Sequence, residues 1–594
     1  MVEFRREVKQ LAQFVEKHGW VGGLRRWTWQ DSGQACRWIT NEMSSGQIAW
    51  ALLLPPPGGK DIFIADVTFG AAPIVLSKIY NRVLSWSFLP DMNKIAEERA
   101  RHLGVENVVF LNDVVSDSLL NFKCEIELSI FILSSDLLNV MPRATLKEGL
   151  KSVLREIAGR ATQGWTNIIL SPKKVRMERK ALWESRGFSQ RELVSLSKEF
   201  NFVCTRTYFF RRAPEDVREV LPSRNWSRKG LKEIGGYFLE NCLSKKLVSN
   251  SLKHAIKSSI LGFPSRVLVL SRFRNQRSIM DGLLENIQSS KLVEGPLTVQ
   301  RYFRGNPNTI LLRLGGPFGK KYICRIPLGF GSSIARASTN YAMLEKLRGT
   351  VLISKKVPKP VTKGEYQNQL YFLETYLEGC MCVMTSANCQ ELYGKVRPYL
   401  FSFVLDNGRE HKIEEETFTQ IIGKDIRTLK KYGKEGKDED RINILESVLK
   451  ERFMGRTMRL GLMHGDFKIE NILFDSEGVS GVFDWDLGTV MGLPFVDLLY
   501  FYWYSFYYEK SKGIIDFIMN CFSSGGGDPC FKAWCDEYRE ALAISQDAVV
   551  YYAACFWIHY ITNVGGALMS NYNKEQYQIN IKQPLEFFLR KVGA

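Results

Sequence analysis

The sequence predicts two domains of different class, an α/β doubly wound parallel sheet over about the first 220 residues and an α+β domain over roughly the last 300. Three observations carry this. The chain has 594 residues, more than one hydrophobic core usually organises. Strand-like and helix-like segments alternate in the first part, as consecutive parallel strands with helical crossovers require. The last part instead carries short strands joined by tight turns, one of them flanked by a cluster of acids.

In the first part, Asp61 to Asp66 reads as a buried strand and is followed by Val67-Thr68-Phe69-Gly70-Ala71-Ala72 and a helix-like stretch. Arg82 to Phe88 is a second strand, Asp91 to Leu103 a helix, Val108 to Leu111 a third strand ending at Asn112-Asp113, and Glu127 to Leu133 a fourth. The layout resembles a class I S-adenosylmethionine-dependent methyltransferase, including the Trp50-Ala51-Leu52-Leu53-Leu54-Pro55 lead-in found in methyltransferases associated with cell-surface glycans. The resemblance implies cofactor contacts from Asp66, Gly70 and Asp113. The glycine-rich loop of that family keeps only its acid and one glycine here, with Thr68 at a glycine position, and Ser87 stands where an acid should hold the ribose. A silent methyltransferase-like domain is therefore expected, with an active enzyme bearing an eroded motif as the alternative.

The segment Lys173 to Lys232 holds 16 Lys/Arg against 7 Asp/Glu, a net +9 out of +18 for the whole chain. It runs into Gly230 to Phe263, where apolar residues recur at broken helical spacing between Lys232, Lys245, Lys246, Lys253 and Lys257. Such a helix either lies on an anionic membrane surface or packs on its own domain with a solvated basic face. Nucleic acid is not expected as a partner, because no zinc pattern or RNA-binding fingerprint accompanies the charge.

Beyond this connector, Val299 to Phe303 and Thr309 to Leu314 read as a hairpin with Gly305 in its turn, and Tyr322 to Pro327 as the next strand. Ala337 to Leu347 is a helix. The most informative stretch is His464-Gly465-Asp466-Phe467-Lys468-Ile469-Glu470-Asn471, followed by Ile472 to Phe474, a turn at Asp475 to Gly478, Val479 to Phe483, and then Asp484-Trp485-Asp486. Phosphoryl transfer needs one carboxylate to orient a hydroxyl, and an amide oxygen with a second carboxylate to hold Mg²⁺ against nucleotide phosphates. Asp466, Asn471 and Asp484 have the chemistry for those roles, and a hairpin would bring Asn471 and Asp484 to one edge.

These motifs resemble the aminoglycoside phosphotransferase and choline kinase group, with its H-G-D-x-x-x-x-N loop and D-[FWY]-[DE] metal motif. The implied fold is a two-lobed protein-kinase-like domain. The resemblance implies Asp466 as catalytic base, Asn471 and Asp484 as Mg²⁺ ligands, Asp486 as a further metal carboxylate, and His464 and Asp497 as structural residues of the loop. It also implies that Gly305 covers the ATP phosphates, that Arg325 replaces the usual phosphate-binding lysine, and that Glu374 and Tyr376 lie in the hinge that meets adenine. At the helix position where the family carries a glutamate stands Asn340, with Glu345 more than a turn further on.

Twelve cysteines without a CxxC pair read as reduced thiols, the charged N-terminus does not read as a signal peptide, and no apolar run reaches a bilayer span. The expected location is cytoplasmic, with peripheral contact at the inner face of the membrane as an option. The expected domains are 1–222, methyltransferase-like and Rossmann-type, 223–295, the basic helical connector, and 296–594, the kinase-like domain. The function expected is an ATP- and Mg²⁺-dependent transfer of a phosphoryl group to a hydroxyl of a small molecule or glycan. Two alternatives stay open: a non-catalytic scaffold, favoured by Arg325 and Asn340, and a bifunctional methyltransferase-kinase of surface glycan synthesis.

Overall fold

The structure is a computed structural model that describes residues 2–30, 51–111 apart from 53, 67–68 and 88, 125–132, 143–158, 161–171, 203–211, 219–222, 265–271, 278–304 apart from 291 and 294, 309–328, 332–505 apart from 386–387, 513–522, 529–564 and 574–593. Asp113, Gly305, Thr68 and the basic segment 230–263 lie outside the described residues. Two compact units are present: 1–27, 31–334 and 362–373 in one, and 28–30, 335–361 and 374–594 in the other.

The first unit is built on parallel strands β1 (Asp61–Ala65), β2 (Arg82–Trp86), β3 (Val108–Leu111), β4 (Ile126–Ile132) and β5 (Ala161–Ser171). They alternate with helices Ala71–Leu76, Pro90–His102 and Arg143–Ala158, so the alternation read from sequence is the fold. Strands β6 (Val203–Arg211), β7 (Glu219–Pro222) and β8 (Ser265–Ser271) follow, and β8 inserts antiparallel between β5 and β6. The resulting order, β3-β2-β1-β4-β5-β8-β6, is that of the Rossmann-like methyltransferase fold. Ile62, Phe63 and Ile64 of β1 are all fully buried, as expected of a strand covered on both faces.

Five further strands, β9 (Thr298–Arg304), β10 (Thr309–Gly315), β11 (Lys321–Pro327), β12 (Pro360–Tyr366) and β13 (Gln369–Thr375), run in the order β12-β13-β11-β10-β9. Strands β9, β10 and β11 pair antiparallel, with Arg325 opposite Leu311. A single residue pair, Glu219 with Phe303, joins this group to β7.

In the second unit, small sheets frame a large helical core. One is β14 (Cys380–Met381), β17 (Ile472–Asp475) and β18 (Gly478–Val482); the other is β15 (Arg409–Lys412), β16 (Thr457–Met463) and β19 (Thr489–Gly492). The helices Val496–Trp503 and Val549–His559 bury Leu499, Phe501, Tyr502, Phe556 and Trp557 to 0% exposure. Among the described residues no single helix is long and apolar enough to cross a membrane.

The turn after β1 shows how tightly the first unit closes. Gly70 sits at φ +85° and a Cβ there would lie 2.9 Å from the Ala96 Cβ and 3.0 Å from its Cα, on helix Pro90–His102. Only glycine satisfies both conditions without displacing that helix. Gly70→Ala is therefore expected to destabilise the protein by about 1–3 kcal/mol, from backbone strain and overpacking together. A thermal melt that matches the wild type would show that the helix moves aside at no cost.

Candidate functional site

The loop before β17 is held from outside the motif. Asp497, buried at the start of helix Val496–Trp503, accepts the backbone N–H of His464 (2.7 Å) and of Gly465 (2.9 Å), one on each carboxylate oxygen. Burial pushes the Asp497 carboxyl above its usual range, against the pull of His464 and those two N–H groups. Gly465 is at φ +79°, and a Cβ there would lie 2.7 Å from the Leu487 carbonyl oxygen, so the glycine is required. His464 is fully buried, accepts the Asp466 N–H at Nδ1 (3.3 Å) and donates from Nε2 to the Phe483 carbonyl (3.0 Å). These partners select the Nε2–H tautomer. His464 thus ties the start of the loop to the residue before Asp484.

A second histidine, not singled out from sequence, braces the same turn. His559 donates from Nε2 to the Gly465 carbonyl (3.1 Å) and meets Asp425 at Nδ1 (3.2 Å). Burial works against a charged imidazole, but the Asp425 carboxylate and the Gly465 carbonyl outweigh it and hold His559 above the ordinary histidine range. Its place on an apolar helix 94 residues downstream carries no sequence signal.

Asp466 is 4% exposed. Its Oδ2 accepts Lys468 Nζ (2.8 Å) and Asn471 Nδ2 (3.1 Å), Oδ1 is buried with no hydrogen bond of good geometry, and the buried Tyr500 hydroxyl lies against the same carboxylate. A buried carboxylate oxygen with no donor is costly unless something else meets it. Lys468 is the other residue that sequence reasoning passed over, although a lysine two positions after the aspartate was a visible signal. Burial opposes its charge, yet Asp466 and the nearby Asp484 carboxylate raise its pKa overall, so it stays an ammonium. It also sits 5.2 Å from the centre of the Tyr504 ring, whose hydroxyl donates to Glu470.

The hairpin brings its two ends together. The Phe483 N–H donates to the Asn471 carbonyl (3.1 Å), which sets Asn471 beside the residue preceding Asp484. The Asn471 amide nitrogen is used on Asp466, both backbone oxygen (2.9 Å) and carboxylate, leaving the amide oxygen as its end for a cation. Asp484 is half-buried with φ +71°, a left-handed conformation that few residues other than glycine, asparagine and aspartate adopt readily. Trp485, fully buried against His464 and Phe403, anchors the turn in the core. Asp486 is 6% exposed and meets Arg336 Nη1 (3.4 Å).

Among the described residues no three His, Cys, Asp or Glu groups gather to hold a metal alone. A Mg²⁺ site takes one or two carboxylates and completes its shell with phosphate and water. The Asp484 carboxylate and the Asn471 amide oxygen are hard donors of the right kind.

Other residues singled out from sequence lie as follows. Glu374, near the end of β13, is 2% exposed and its side chain is turned to Asn340, while Tyr376 is half-buried just beyond the strand. Glu345 points to solvent, and Arg325 is 8% exposed on β11 in the first unit. There too Asp66 is 3% exposed, and its Oδ2 accepts the Gly70 N–H (2.9 Å). Ser87 Oγ accepts the Leu89 N–H (3.3 Å), ahead of helix Pro90–His102, and Phe69 fills the loop with no exposure.

Residues 305–519 match the model of the phosphotransferase enzyme family. Among solved structures, one similar chain is a thermostable mutant of aminoglycoside phosphotransferase APH(4)-Ia in ternary complex with ADP and hygromycin B, at 11% identity and TM-score 0.35, covering 52% of this chain and 99% of that one. A second is APH(2'')-Ib bound to ADP, at 13% identity and TM-score 0.32, covering 52% and 97%. A third is a putative methyltransferase from Streptococcus mutans in complex with SAH, at 12% identity and TM-score 0.22, covering 37% and 93%. Comparison with curated proteins gives no significant match.

Two substitutions test the bracing of the loop. Asp497→Asn keeps the volume but turns an amide N–H₂ toward one of two backbone donors, and should destabilise by about 1–3 kcal/mol in a denaturant titration. Wild-type stability would mean that the carboxylate is not the anchor. His559 has a raised folded pKa, so its charge-dependent stabilisation is full below the ordinary histidine value and fades as pH rises through the folded one. The melting-temperature gap between wild type and His559→Gln should therefore be larger at pH 6 than at pH 9, and a gap that widens with pH would reverse the assignment.

Proposed function

We propose that residues 296–594 form an ATP- and Mg²⁺-dependent phosphotransferase acting on a hydroxyl of a small molecule or glycan, behind a methyltransferase-like domain (1–222) that does not use S-adenosylmethionine. The observation that carries this reading is Asp466: a buried carboxylate with Oδ2 held by Lys468 and Asn471, Oδ1 making no hydrogen bond of good geometry, and the Tyr500 hydroxyl beside it. A substrate hydroxyl is the group such an oxygen can accept from.

In this reading the Asp466 carboxylate takes the hydroxyl hydrogen bond and aligns the attacking oxygen with the γ-phosphorus, then receives the proton as the new P–O bond forms and the bond from the γ-phosphorus to the β,γ-bridging oxygen breaks, with ADP as the leaving group. Lys468 donates to Asp466 Oδ2 and fixes its rotamer. Asn471 and Asp484 would hold Mg²⁺, with Asp486 beside them, and the metal would neutralise charge on the nucleotide phosphates. The left-handed backbone at Asp484, a conformation aspartate tolerates, sets the direction of its carboxylate. The match of residues 305–519 to the phosphotransferase family model supports the reaction class; small molecule or glycan as acceptor is our extension of it.

For the first unit, the closure of Asp66 onto Gly70 and of Ser87 onto Leu89 supports the silent reading, since both polar groups are engaged within the fold.

Two measurements test the proposal. ATP should raise the melting temperature more with Mg²⁺ than with EDTA, because a ligand that binds only the folded state stabilises it by mass action, and Asp484→Ala should remove the metal-dependent part. Asp466→Asn should cut turnover by roughly 10²–10⁴-fold with ATP affinity nearly unchanged. An equal ATP shift with and without metal, or full turnover in Asp466→Asn, would defeat the proposal.

A further inference from the structure

Helix Ser332–Lys346 carries a buried polar side chain that joins two distant segments of the chain. Asn340, 1% exposed, accepts the Trp485 backbone N–H at Oδ1 (2.9 Å) and donates from Nδ2 to Glu374 Oε2 (2.9 Å). Trp485 is the middle residue of Asp484-Trp485-Asp486, and Glu374 is itself 2% exposed. From sequence the asparagine read as a lost glutamate. In the fold that asparagine connects the Glu374 carboxylate, on β13, to the backbone between the two acids.

Resting on the phosphotransferase reading, we infer that Asn340 is a positioning residue for the metal-binding turn: it fixes the Trp485 amide, and thereby the carboxylates of Asp484 and Asp486, relative to Glu374. The chemistry selects asparagine. The site needs one acceptor for an N–H and one donor for a carboxylate, on one short planar group, and the primary amide is the side chain that supplies both at this size. A glutamate in its place would set its carboxylate against that of Glu374, and an alanine would take the acceptor from the buried Trp485 N–H and a donor from Glu374. The turn has reason to need such a tie, because Asp484 is held at φ +71° and a relaxed backbone would redirect its carboxylate.

The test is a reciprocal exchange in the full chain, with ATP and Mg²⁺ as probes. Asn340→Asp keeps the acceptor for Trp485 but faces Glu374 with a second carboxylate. Adding Glu374→Gln returns a donor and an acceptor to the pair with the charge moved from one partner to the other. Two quantities are read for the wild type, Asn340→Asp and the double variant: the melting temperature without ligand, and the Mg²⁺ concentration that gives half of the ATP-dependent gain in melting temperature. Asn340→Asp should melt lower and need about tenfold more Mg²⁺ or beyond, and the double variant should recover most of both, as directly coupled neighbours do. A merely structural asparagine predicts otherwise: its variant would melt lower with the Mg²⁺ requirement unchanged, and that result overturns the inference. So does a double variant no better than Asn340→Asp in either quantity. A wild type with no Mg²⁺-dependent gain overturns the phosphotransferase reading itself and the positioning role with it.

Discussion

Two backbone N–H groups meeting one buried carboxylate set the geometry on which the candidate site depends. Asp497 takes the His464 and Gly465 amides, and the loop that leaves β16 acquires a fixed direction. From that anchor the rest follows in short steps. Gly465 turns the chain, His464 reaches the Phe483 carbonyl, and Asn471 receives the Phe483 amide, so that loop and hairpin close on each other through backbone groups. The acids then project from a frame whose hydrogen bonds are already satisfied. That is the arrangement catalysis by orientation requires, since its yield depends on geometry held before the substrate arrives.

Packing and polarity divide the labour at Asp484-Trp485-Asp486. The indole of Trp485 is fully buried against His464 and Phe403, and its Nε1–H donates to the Val482 carbonyl (3.2 Å), which gives the segment its depth. The polar contacts decide its orientation: Asn340 on the Trp485 amide and Arg336 on Asp486. A hydrophobic anchor by itself is non-directional, whereas a hydrogen bond to a specific amide is not. The same helix therefore contributes both contacts that steer the turn.

The first unit uses the same elements to opposite effect. Asp66 caps its own loop at Gly70, Ser87 caps the approach to the next helix, and Phe69 occupies the turn with a ring. A polar group that is satisfied within the fold costs energy to redirect to a ligand, and a buried ring leaves little space for one. The parallel-sheet architecture persists because Ile62, Phe63 and Ile64 and their neighbours still supply its core.

The sequence by itself determined the elements that rest on local pattern. Alternating strands and helices determined the parallel sheet, the Asp475 to Gly478 turn determined the β17–β18 hairpin, and the spacing of His464, Asp466, Asn471 and Asp484 marked the candidate site. Those features are legible because side-chain period and turn chemistry act over a few residues. Tertiary structure alone decided which distant groups complete them. His559 lies 94 residues from the carbonyl it braces, Glu374 is 34 residues from Asn340, and Asn340 is 145 residues from the amide it accepts. No periodicity links such positions, because a buried hydrogen bond is specified by where two surfaces meet and not by spacing along the chain. For the same reason Asn340 read from sequence only as a departure from the family, and only the fold showed it joined to Glu374 and to the Trp485 amide.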